Sequence, residues 1–326
     1  MKEELLKIRN DFELDNYKFL LYLFEVILQE LSYDISSEYD NKKCYLRLKD
    51  WVDEHIDEIK DDFVGEIHEM WLDKDDRFEY GQFYTPRDLV DKLLNRIWVD
   101  PYKKPSVVDF SCWTGWFLIK YLGQIDPSKL DSIQDLIEIF NNVTGVEIKE
   151  ESYNLARLNV IMIFMIKAKY FDNIEYPDFD NIILRWDGLE VEKDVLENGY
   201  DYVVWNPPYL TLTTKDSYEL RPQLQKDLFY RNFFYYTPNL VYFFIAQGIR
   251  KLNEGGRLWL IVPHNIMQNK PAKPLRDYIL EKTKIIEIED SGDEKLFEGT
   301  GIKNVIFLYL EKWDCDEDHT FNYIKN

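Results

Sequence analysis

The feature that constrains the fold most is a regular alternation of apolar runs with helical segments from about residue 100 onward. Most runs are continuous stretches of Val, Ile and Leu, which is typical of strands buried on both faces. This alternation predicts an α/β sheet covered by helices on both sides. The predicted strands are 106–110, 143–148, 181–186, 202–205, 257–262, 284–289 and 304–310, and the helices between them include 128–140, 150–166, 240–252 and 274–282.

Polar residues stand where four of these strands end. Asp109 closes the first, Glu147 the second, and Asp187 and Asn206 follow the third and fourth. Ligands of open α/β sheets bind at the carboxyl ends of the strands, so we expect the chemistry there. A carboxylate in the place of Glu147 can accept hydrogen bonds from both ribose hydroxyls. Asp187, followed by glycine, is equally typical of a simple turn.

The sharpest motif is NPPY, residues 206–209, directly after a predicted strand. Pro207 and Pro208 lack a backbone N–H and make the turn rigid, so that their carbonyls and the Asn206 side chain point into the site. Tyr209 adds a flat aromatic face. N-P-P is also a strong turn former, but its place after a buried strand favours a functional role.

The stretch VVDFSCWTGWFL, residues 107–118, predicts a strand, a tight turn at Gly115 and a helix. Nucleotide sites begin in this way and usually carry a pair of glycines in the turn. Trp113 stands where the first glycine of that pair is expected. Taken alone, the stretch is also compatible with an ordinary strand-to-helix turn.

Residues 1–75 have a different pattern, with apolar residues at helical spacing, many acids and a single glycine, Gly65. They predict a helical accessory region that precedes a larger domain over residues 76–326. In the whole chain of 326 residues, 40 Lys and Arg face 61 Asp and Glu. The net charge of -21 opposes non-specific attraction to nucleic acid or to anionic membranes.

The cysteines and the hydropathy of the chain exclude several classes of protein. The three cysteines are scattered, without the spacing of a disulfide framework or a zinc site, and we expect no metal. No signal peptide opens the chain, and no apolar run reaches the roughly 18 residues of a membrane helix. We therefore expect a soluble cytoplasmic protein that does not bind membranes.

Several motifs occur together in a characteristic order. They are GQFYTPRDLV, the stretch at 107–118, GVEIKEESYNLARLN, WDG, NPPY, NLVYFFIAQGIRKLNEGGRLWLIVP and LFEGTGIKNVIFLYLEK. With them, the chain from about Tyr80 to Lys312 resembles the class I S-adenosylmethionine-dependent amino-methyltransferases, and within these the gamma-class adenine-N6 DNA methyltransferases. It looks like a modification subunit of a type I or type IIG restriction-modification system. The resemblance implies a Rossmann-like sheet of seven strands, with residues 76–326 as the catalytic domain.

The resemblance also implies S-adenosylmethionine as the cofactor. Thr85 is a good N-cap and Pro86 a good first helical residue, which creates a helix N-terminus suited to a carboxylate. By resemblance, the methionine carboxylate of the cofactor lies there, Glu147 binds the ribose and Asp187 accepts a hydrogen bond from the adenine amine. The expected cofactor-binding residues are Tyr84, Thr85, Asp109, Ser111, Gly115, Glu147, Asp187 and Asn206.

For the reaction, the resemblance implies methyl transfer to the N6 amino group of an adenine flipped out of double-stranded DNA. The nitrogen lone pair of that group is delocalised into the ring, and two acceptors for its protons, the Asn206 side chain and the Pro207 carbonyl, would localise it. The expected catalytic residues are Asn206, Pro207, Pro208 and Tyr209, with the Tyr209 ring stacked on the base. Phe297 matches a second aromatic contact of the family, although a core phenylalanine is an equal alternative.

The segment 210–239 is rich in aromatic residues and is the least acidic part of the chain. From 206 to 240 its four positive residues, Lys215, Arg221, Lys226 and Arg231, face three acids. One interpretation is a surface that contacts DNA phosphates and bases, and the other is a partly buried lid over the cofactor.

Two departures from the family pattern leave alternatives open. Phe110 replaces the usual proline and Trp113 the first glycine of the cofactor turn, so the chain could instead be a non-catalytic scaffold subunit. No separate target-recognition domain follows the last predicted strand, so we expect a separate DNA-specificity partner. Because NPPY also occurs in methyltransferases for protein glutamine and for RNA, these substrates remain alternatives.

Overall fold

The computed structural model describes residues 2–12, 16–30, 42–55, 85, 87–97, 99–190, 199–213, 220–292, 304–313 and 320–325. The helices in these ranges are α1 (Lys2–Asp11), α2 (Asn16–Glu30), α3 (Lys42–His55), α4 (Arg87–Ile97), α5 (Trp116–Gly123), α6 (Ile133–Asn141), α7 (Glu150–Ala168), α8 (Phe179–Ile182), α9 (Leu220–Lys226), α10 (Leu240–Lys251) and α11 (Lys273–Lys282). The strands are β1 (Val107–Asp109), β2 (Val143–Glu147), β3 (Ile183–Arg185), β4 (Tyr200–Trp205), β5 (Leu252–Pro263), β6 (Thr283–Asp290), β7 (Val305–Lys312) and β8 (Asn322–Lys325).

The strands form one sheet in the order β3-β2-β1-β4-β5-β7-β6-β8. The pairs from β3 to β5 are parallel, whereas β7 is antiparallel to both of its neighbours. The predicted α/β sheet is confirmed, and a strand lies at each predicted position. The third strand is shorter than expected, because residues 181 and 182 belong to helix α8. Strand β8, parallel to β6 at the edge, extends the expected seven-stranded sheet to eight. Its sequence, NYIK, is short and largely exposed, so no apolar run indicated it.

The predicted helices are confirmed as α6, α7, α10 and α11, with one correction at a boundary. The helix expected at 128–140 begins at Ile133, because Ser132 caps it in a box with Asp135. Ser128 lies instead in a separate 3-10 turn, Pro127–Lys129. The helix expected after Thr85 is α4.

Two apolar cores cover the two faces of the sheet. Along β4, Val204 belongs to one core, while Val203 and Trp205 belong to the other. Helices α5, α6 and α7 pack on the first face, and α10 and α11 on the second. Successive residues of β4 thus point to opposite faces of the sheet, and both faces are covered. This burial on both faces explains why the strands are continuous apolar runs.

The N-terminal helices pack on the first of these cores. Helix α2 lies against α7, and the Asn154 amide donates a hydrogen bond of 2.8 Å to the Tyr17 hydroxyl. The helical character expected of this region is confirmed for α1, α2 and α3. Residues 56–84 lie outside the described residues, so the boundary at residue 75 stays a prediction. Among the described helices, none combines the length and apolar character that a membrane span requires.

Candidate active site

The carboxyl edge of the sheet brings the predicted polar residues together. Asp109 and Glu147 end the neighbouring strands β1 and β2, and Asn206 follows β4 on the other side of β1. Asp187 lies just beyond β3, the partner of β2. Because these strands are parallel, their ends meet at one edge, as the sequence predicts.

The turn between β1 and α5 contains two residues in the left-handed region, Trp113 with a φ of 50° and Gly115 with a φ of 83°. A side chain makes this conformation less favourable by about 1–2 kcal/mol, whereas glycine adopts it readily. The chain therefore keeps at Trp113 the backbone geometry that suits a glycine. Phe110 is buried, and its ring meets that of Trp205 edge-on at a centroid distance of 5.6 Å.

Glu147 connects this turn to the second strand. One of its carboxylate oxygens accepts a hydrogen bond of 3.0 Å from the Trp113 N–H, and the other accepts one of 2.9 Å from the Lys149 N–H. Burial raises the pKa of Glu147, although these N–H groups oppose the effect. Each carboxylate oxygen has a further lone pair, so the side chain can still accept hydrogen bonds from a ligand.

Two more carboxyl groups lie close by in buried positions. Burial raises the pKa of Asp109 well above its usual range, and the nearby Glu147 carboxylate adds to the effect. Burial also raises the pKa of Asp187, whose Oδ1 accepts a hydrogen bond of 2.9 Å from the Leu189 N–H. Gly188 is required here, since a Cβ at this position would lie 2.0 Å from the Phe110 carbonyl oxygen. The site thus favours cationic ligands, whose approach would restore the charge of these groups.

A cavity of about 440 Å³ opens at this edge of the sheet, between the ends of β2 and β3 and helix α10. This volume is within the range of small-molecule sites, about 300–1,000 Å³. The polar groups of Ser111, Glu147 and Asp187 line it, and its apolar walls include Ile148 and Phe244. Such walls suit an aromatic base, while the carboxylates suit hydroxyl and amino groups.

A second, smaller cavity of about 40 Å³ lies beside it. Ser111 lines both cavities, and Thr85, Asp109, Trp113 and Asn206 line the smaller one. Trp113 therefore lines the same cavity as Thr85, near which the family resemblance places the methionine part of the cofactor. Gly115 lines neither of these two cavities and instead precedes helix α5 as its N-cap.

The Asn206 side chain lies in a hydrogen-bond network between three elements. Its Nδ2 donates a bond of 3.1 Å to the Thr85 hydroxyl, next to α4. The Tyr209 hydroxyl lies 2.7 Å from Asn206 Oδ1 and 2.7 Å from the Ile261 carbonyl oxygen of β5. Burial raises the pKa of Tyr209 well above its usual range, so the hydroxyl keeps its proton. The sequence did not indicate Ile261, since nothing in an apolar strand marks a carbonyl that serves a side chain.

The aromatic segment after NPPY divides between the two predicted roles. Tyr230 is buried and its hydroxyl donates a bond of 2.8 Å to the Leu189 carbonyl, beside Asp187. This contact supports the lid interpretation for that part. Arg221 donates to the Leu212 carbonyl, whereas Lys226 and Arg231 are exposed. Leu220, Gln223 and Leu240 line the larger cavity, a role that the sequence did not predict.

Some predicted residues lie outside the described residues, namely Tyr84, Lys215 and Phe297. Their expected roles stay predictions. In the part of the chain that the structure describes, no group of three or more His, Cys, Asp or Glu could hold a metal ion.

The strand order, with β7 antiparallel between β5 and β6, and the acids at the ends of β2 and β3 define a class I methyltransferase fold. The chain belongs to the N-6 DNA Methylase family, whose model matches residues 59–324. A solved structure that it resembles is a putative class I S-adenosylmethionine-dependent methyltransferase from Listeria monocytogenes. This likeness has a TM-score of 0.63 at 17% identity, over 99% of this chain and 92% of the other. The chain also resembles a modification subunit of a putative type I restriction enzyme from Vibrio vulnificus, with a TM-score of 0.60 at 17% identity. This likeness covers 92% of this chain and 59% of the other.

Two relatives in sequence are named a methyltransferase and a methylase subunit. The type II methyltransferase M.BanIII of Aneurinibacillus aneurinilyticus is 28% identical over 238 residues, which cover 70% of this chain and 38% of the relative. The methylase subunit of the type I restriction enzyme MpnII of Mycoplasma pneumoniae is 25% identical over 247 residues, which cover 72% and 41%. The chain thus spans about two fifths of the length of these relatives.

Proposed function

We propose that this chain transfers a methyl group from S-adenosylmethionine to the N6 amino group of a flipped-out adenine in double-stranded DNA, as part of a restriction-modification or related defence system. The observation that carries the proposal is the position of Asn206. Its carboxamide lies at the end of β4, bonded to Thr85, and lines a cavity that shares Ser111 with the one at Glu147 and Asp187. Acceptor and cofactor residues are therefore adjacent.

The residues of the larger cavity fit the nucleoside part of S-adenosylmethionine. Glu147 would accept hydrogen bonds from the ribose hydroxyls and Asp187 from the adenine amine, with Ile148 and Phe244 against the ring. Thr85, Asp109 and Ser111 line the cavity proposed for the methionine part, and the expected roles of Tyr84 and Gly115 there stay predictions. When bound, the cofactor supplies an electrophilic methyl group on a sulfonium centre. The buried carboxyl groups of Asp109 and Glu147 suit this positive charge.

The NPPY residues would act on the target amino group. Asn206 Oδ1 and the Pro207 carbonyl oxygen each accept one N–H, which localises the nitrogen lone pair and directs it at the methyl group. Pro207 and Pro208 are buried and keep this turn rigid. The Tyr209 ring supplies a stacking surface for the base, a contact of about 1–3 kcal/mol.

The acidic character of the chain opposes direct attraction to DNA. The chain has a net charge of -21, and one of its relatives is named the methylase subunit of a type I restriction enzyme. We infer that a separate specificity subunit or domain contributes the positive charge and the base contacts.

A second candidate function is a scaffold subunit with a methyltransferase fold that binds no cofactor. The observation that favours it is Trp113, which lines a methionine-side cavity of only about 40 Å³.

Cofactor binding and methyl transfer separate the two candidates. We expect calorimetric titration to show that the chain binds S-adenosylmethionine. We also expect the chain, assayed together with any specificity partner that co-purifies with it, to transfer a tritiated methyl group to adenine in a library of mixed-sequence duplexes. Asn206→Ala should still bind the cofactor and lose about a hundredfold or more in transfer rate. Asn181→Ala, on the short helix α8, should match the parent. A parent that binds no cofactor supports the scaffold, and an active Asn206→Ala excludes the proposed mechanism.

A further inference from the structure

Both ends of the Asn206 carboxamide are engaged. The nitrogen donates to Thr85 Oγ1 at 3.1 Å, and the oxygen accepts from the Tyr209 hydroxyl at 2.7 Å. The Tyr209 hydroxyl is itself 2.7 Å from the Ile261 carbonyl oxygen, so its single proton is shared between two acceptors. The Ile261 carbonyl oxygen of β5 thus fixes the position of the Tyr209 hydroxyl, which in turn contacts Asn206 Oδ1.

The orientation of this carboxamide decides what it can do. An amino group donates protons, so only Oδ1, and not Nδ2, can accept from it. If the amide were rotated by half a turn, Nδ2 would take the place of Oδ1, and its two N–H donors would face the N–H donors of the substrate amino group. An amide oxygen has two lone pairs, so Oδ1 can accept from the Tyr209 hydroxyl and from a substrate amino group at the same time.

We propose that Tyr209 is a positioning residue for Asn206: its hydroxyl, held by the Ile261 carbonyl, acts with the Thr85 hydroxyl to keep Oδ1 directed at the site of methyl transfer. This inference rests on the proposed function. It assigns a role to the hydroxyl, whereas the stacking expected of Tyr209 belongs to the ring. Phenylalanine separates the two roles, because it keeps the ring and lacks the hydroxyl.

Kinetics of Tyr209→Phe provide the first test. We expect kcat to fall about tenfold, because a small misplacement of a catalytic group is costly, while KM for cofactor and for DNA stays within about twofold. Thr85→Val should lower kcat similarly, and Thr85→Ser, which keeps the hydroxyl, should restore it. The two losses should not add in Tyr209→Phe/Thr85→Val, since both hydroxyls act on one amide. Tyr170→Phe, at an exposed position just after α7, should match the parent.

A second readout does not depend on activity. In protein labelled with nitrogen-15 at asparagine, the side-chain amide pair of Asn206 is identified by its loss in Asn206→Ala. We expect this pair to shift or broaden in Tyr209→Phe and in Thr85→Val, and to keep its position in Tyr170→Phe. A parent without methyl transfer would contradict the proposed function, and the amide resonances would still decide whether Tyr209 positions Asn206.

Two results would overturn the inference. One is an Asn206 amide pair in Tyr209→Phe that cannot be distinguished from that of the parent. The other is an active parent whose Tyr209→Phe variant has an equal or higher kcat, which would mean that the hydroxyl merely occupies the acceptor until the base arrives.

Discussion

Trp113 combines a backbone conformation suited to glycine with the largest side chain. Its φ of 50° is left-handed, and its N–H donates to Glu147, the residue proposed to bind the ribose. The local geometry of the cofactor turn is therefore preserved without the glycine. What changes is the space proposed for the methionine part of the cofactor, because the indole lines the small cavity there.

We expect Trp113→Gly to bind S-adenosylmethionine more tightly than the parent, by about tenfold, because the substitution opens this cavity and suits the left-handed backbone. Calorimetric titration measures the difference. Trp113→Ala separates the causes, since it removes the indole but keeps a Cβ. If both variants gain the same affinity, the space freed by removing the indole is the cause. If only Trp113→Gly gains affinity, the cause is the left-handed backbone. Weaker binding by both variants would show that the indole contacts the cofactor.

Glu147, the residue proposed to bind the ribose, should make cofactor binding depend on pH. Burial raises its pKa above the ordinary 4.5, so it takes up a proton at a higher pH than an exposed glutamate does. The protonated carboxyl loses acceptor capacity for ribose hydroxyls and its attraction for a cation. We expect full affinity for S-adenosylmethionine above the raised pKa and a decline as the pH falls through it. Glu147→Gln should bind weakly in the same titrations and lose part of the pH dependence, while the buried Asp109 and Asp187 supply the rest. A pH profile unchanged from that of the parent would contradict the assignment.

Helix α4 is clamped to the far side of the sheet by ion pairs. Lys92 Nζ lies 2.6 Å from one oxygen of the buried Glu289 on β6, and Arg96 pairs with its other oxygen and, at 2.9 Å, with Glu287. Lys92 also lies over the ring of Phe307, 4.7 Å from its centroid. Because α4 follows Thr85 closely, this clamp places the partner of Asn206.

We expect Glu289→Gln to lower the free energy of unfolding by about 1–2 kcal/mol, the loss of charge-assisted hydrogen bonds to cations that stay partly hydrated. Urea denaturation measures this change. The exposed pair Lys273–Asp277 supplies the control, since Asp277→Asn should change the same quantity by less than about 0.5 kcal/mol. Equal effects of the two variants would mean that the clamp is no stronger than a surface ion pair.

The charge of the whole chain limits how it can bind DNA alone. Of the four cations in the segment after NPPY, Arg221 is engaged with the Leu212 carbonyl, and Lys226 and Arg231 are exposed. Even if all four contacted phosphates, log K would fall with log salt at a slope of about -4. Binding by the chain without a partner should therefore be weak.

A salt series of duplex binding with Lys226→Gln/Arg231→Gln tests this surface. We expect the slope to become shallower by about 2, since each phosphate contact contributes about 0.9. Lys129→Gln/Lys169→Gln removes the same charge from exposed positions before β2 and β3, at the opposite edge, and should leave the slope nearly unchanged. Equal effects of the two double variants would favour the lid interpretation for the whole segment.

Much of this molecule could be predicted from local patterns. Continuous apolar runs identify strands buried on both faces, as in β1, β2 and β4, and the ends of those strands place Asp109, Glu147 and Asn206 at one edge. This works because the direction of a parallel strand determines where its last residue lies. The same pattern could not predict the eighth strand, because a largely exposed edge strand needs no apolar face.

The contacts that complete the site join positions far apart in the chain, and no local pattern encodes them. Thr85 meets Asn206, Tyr209 meets Ile261, and Lys92 meets Glu289, because the strand order and the helix packing bring these elements together. Periodicity in a sequence reports whether a face is buried, but not which element covers it. The sequence therefore predicted the residue types of the site. The orientation of the Asn206 side chain and the size of the cavity beside Trp113 depend on how the strands and helices assemble.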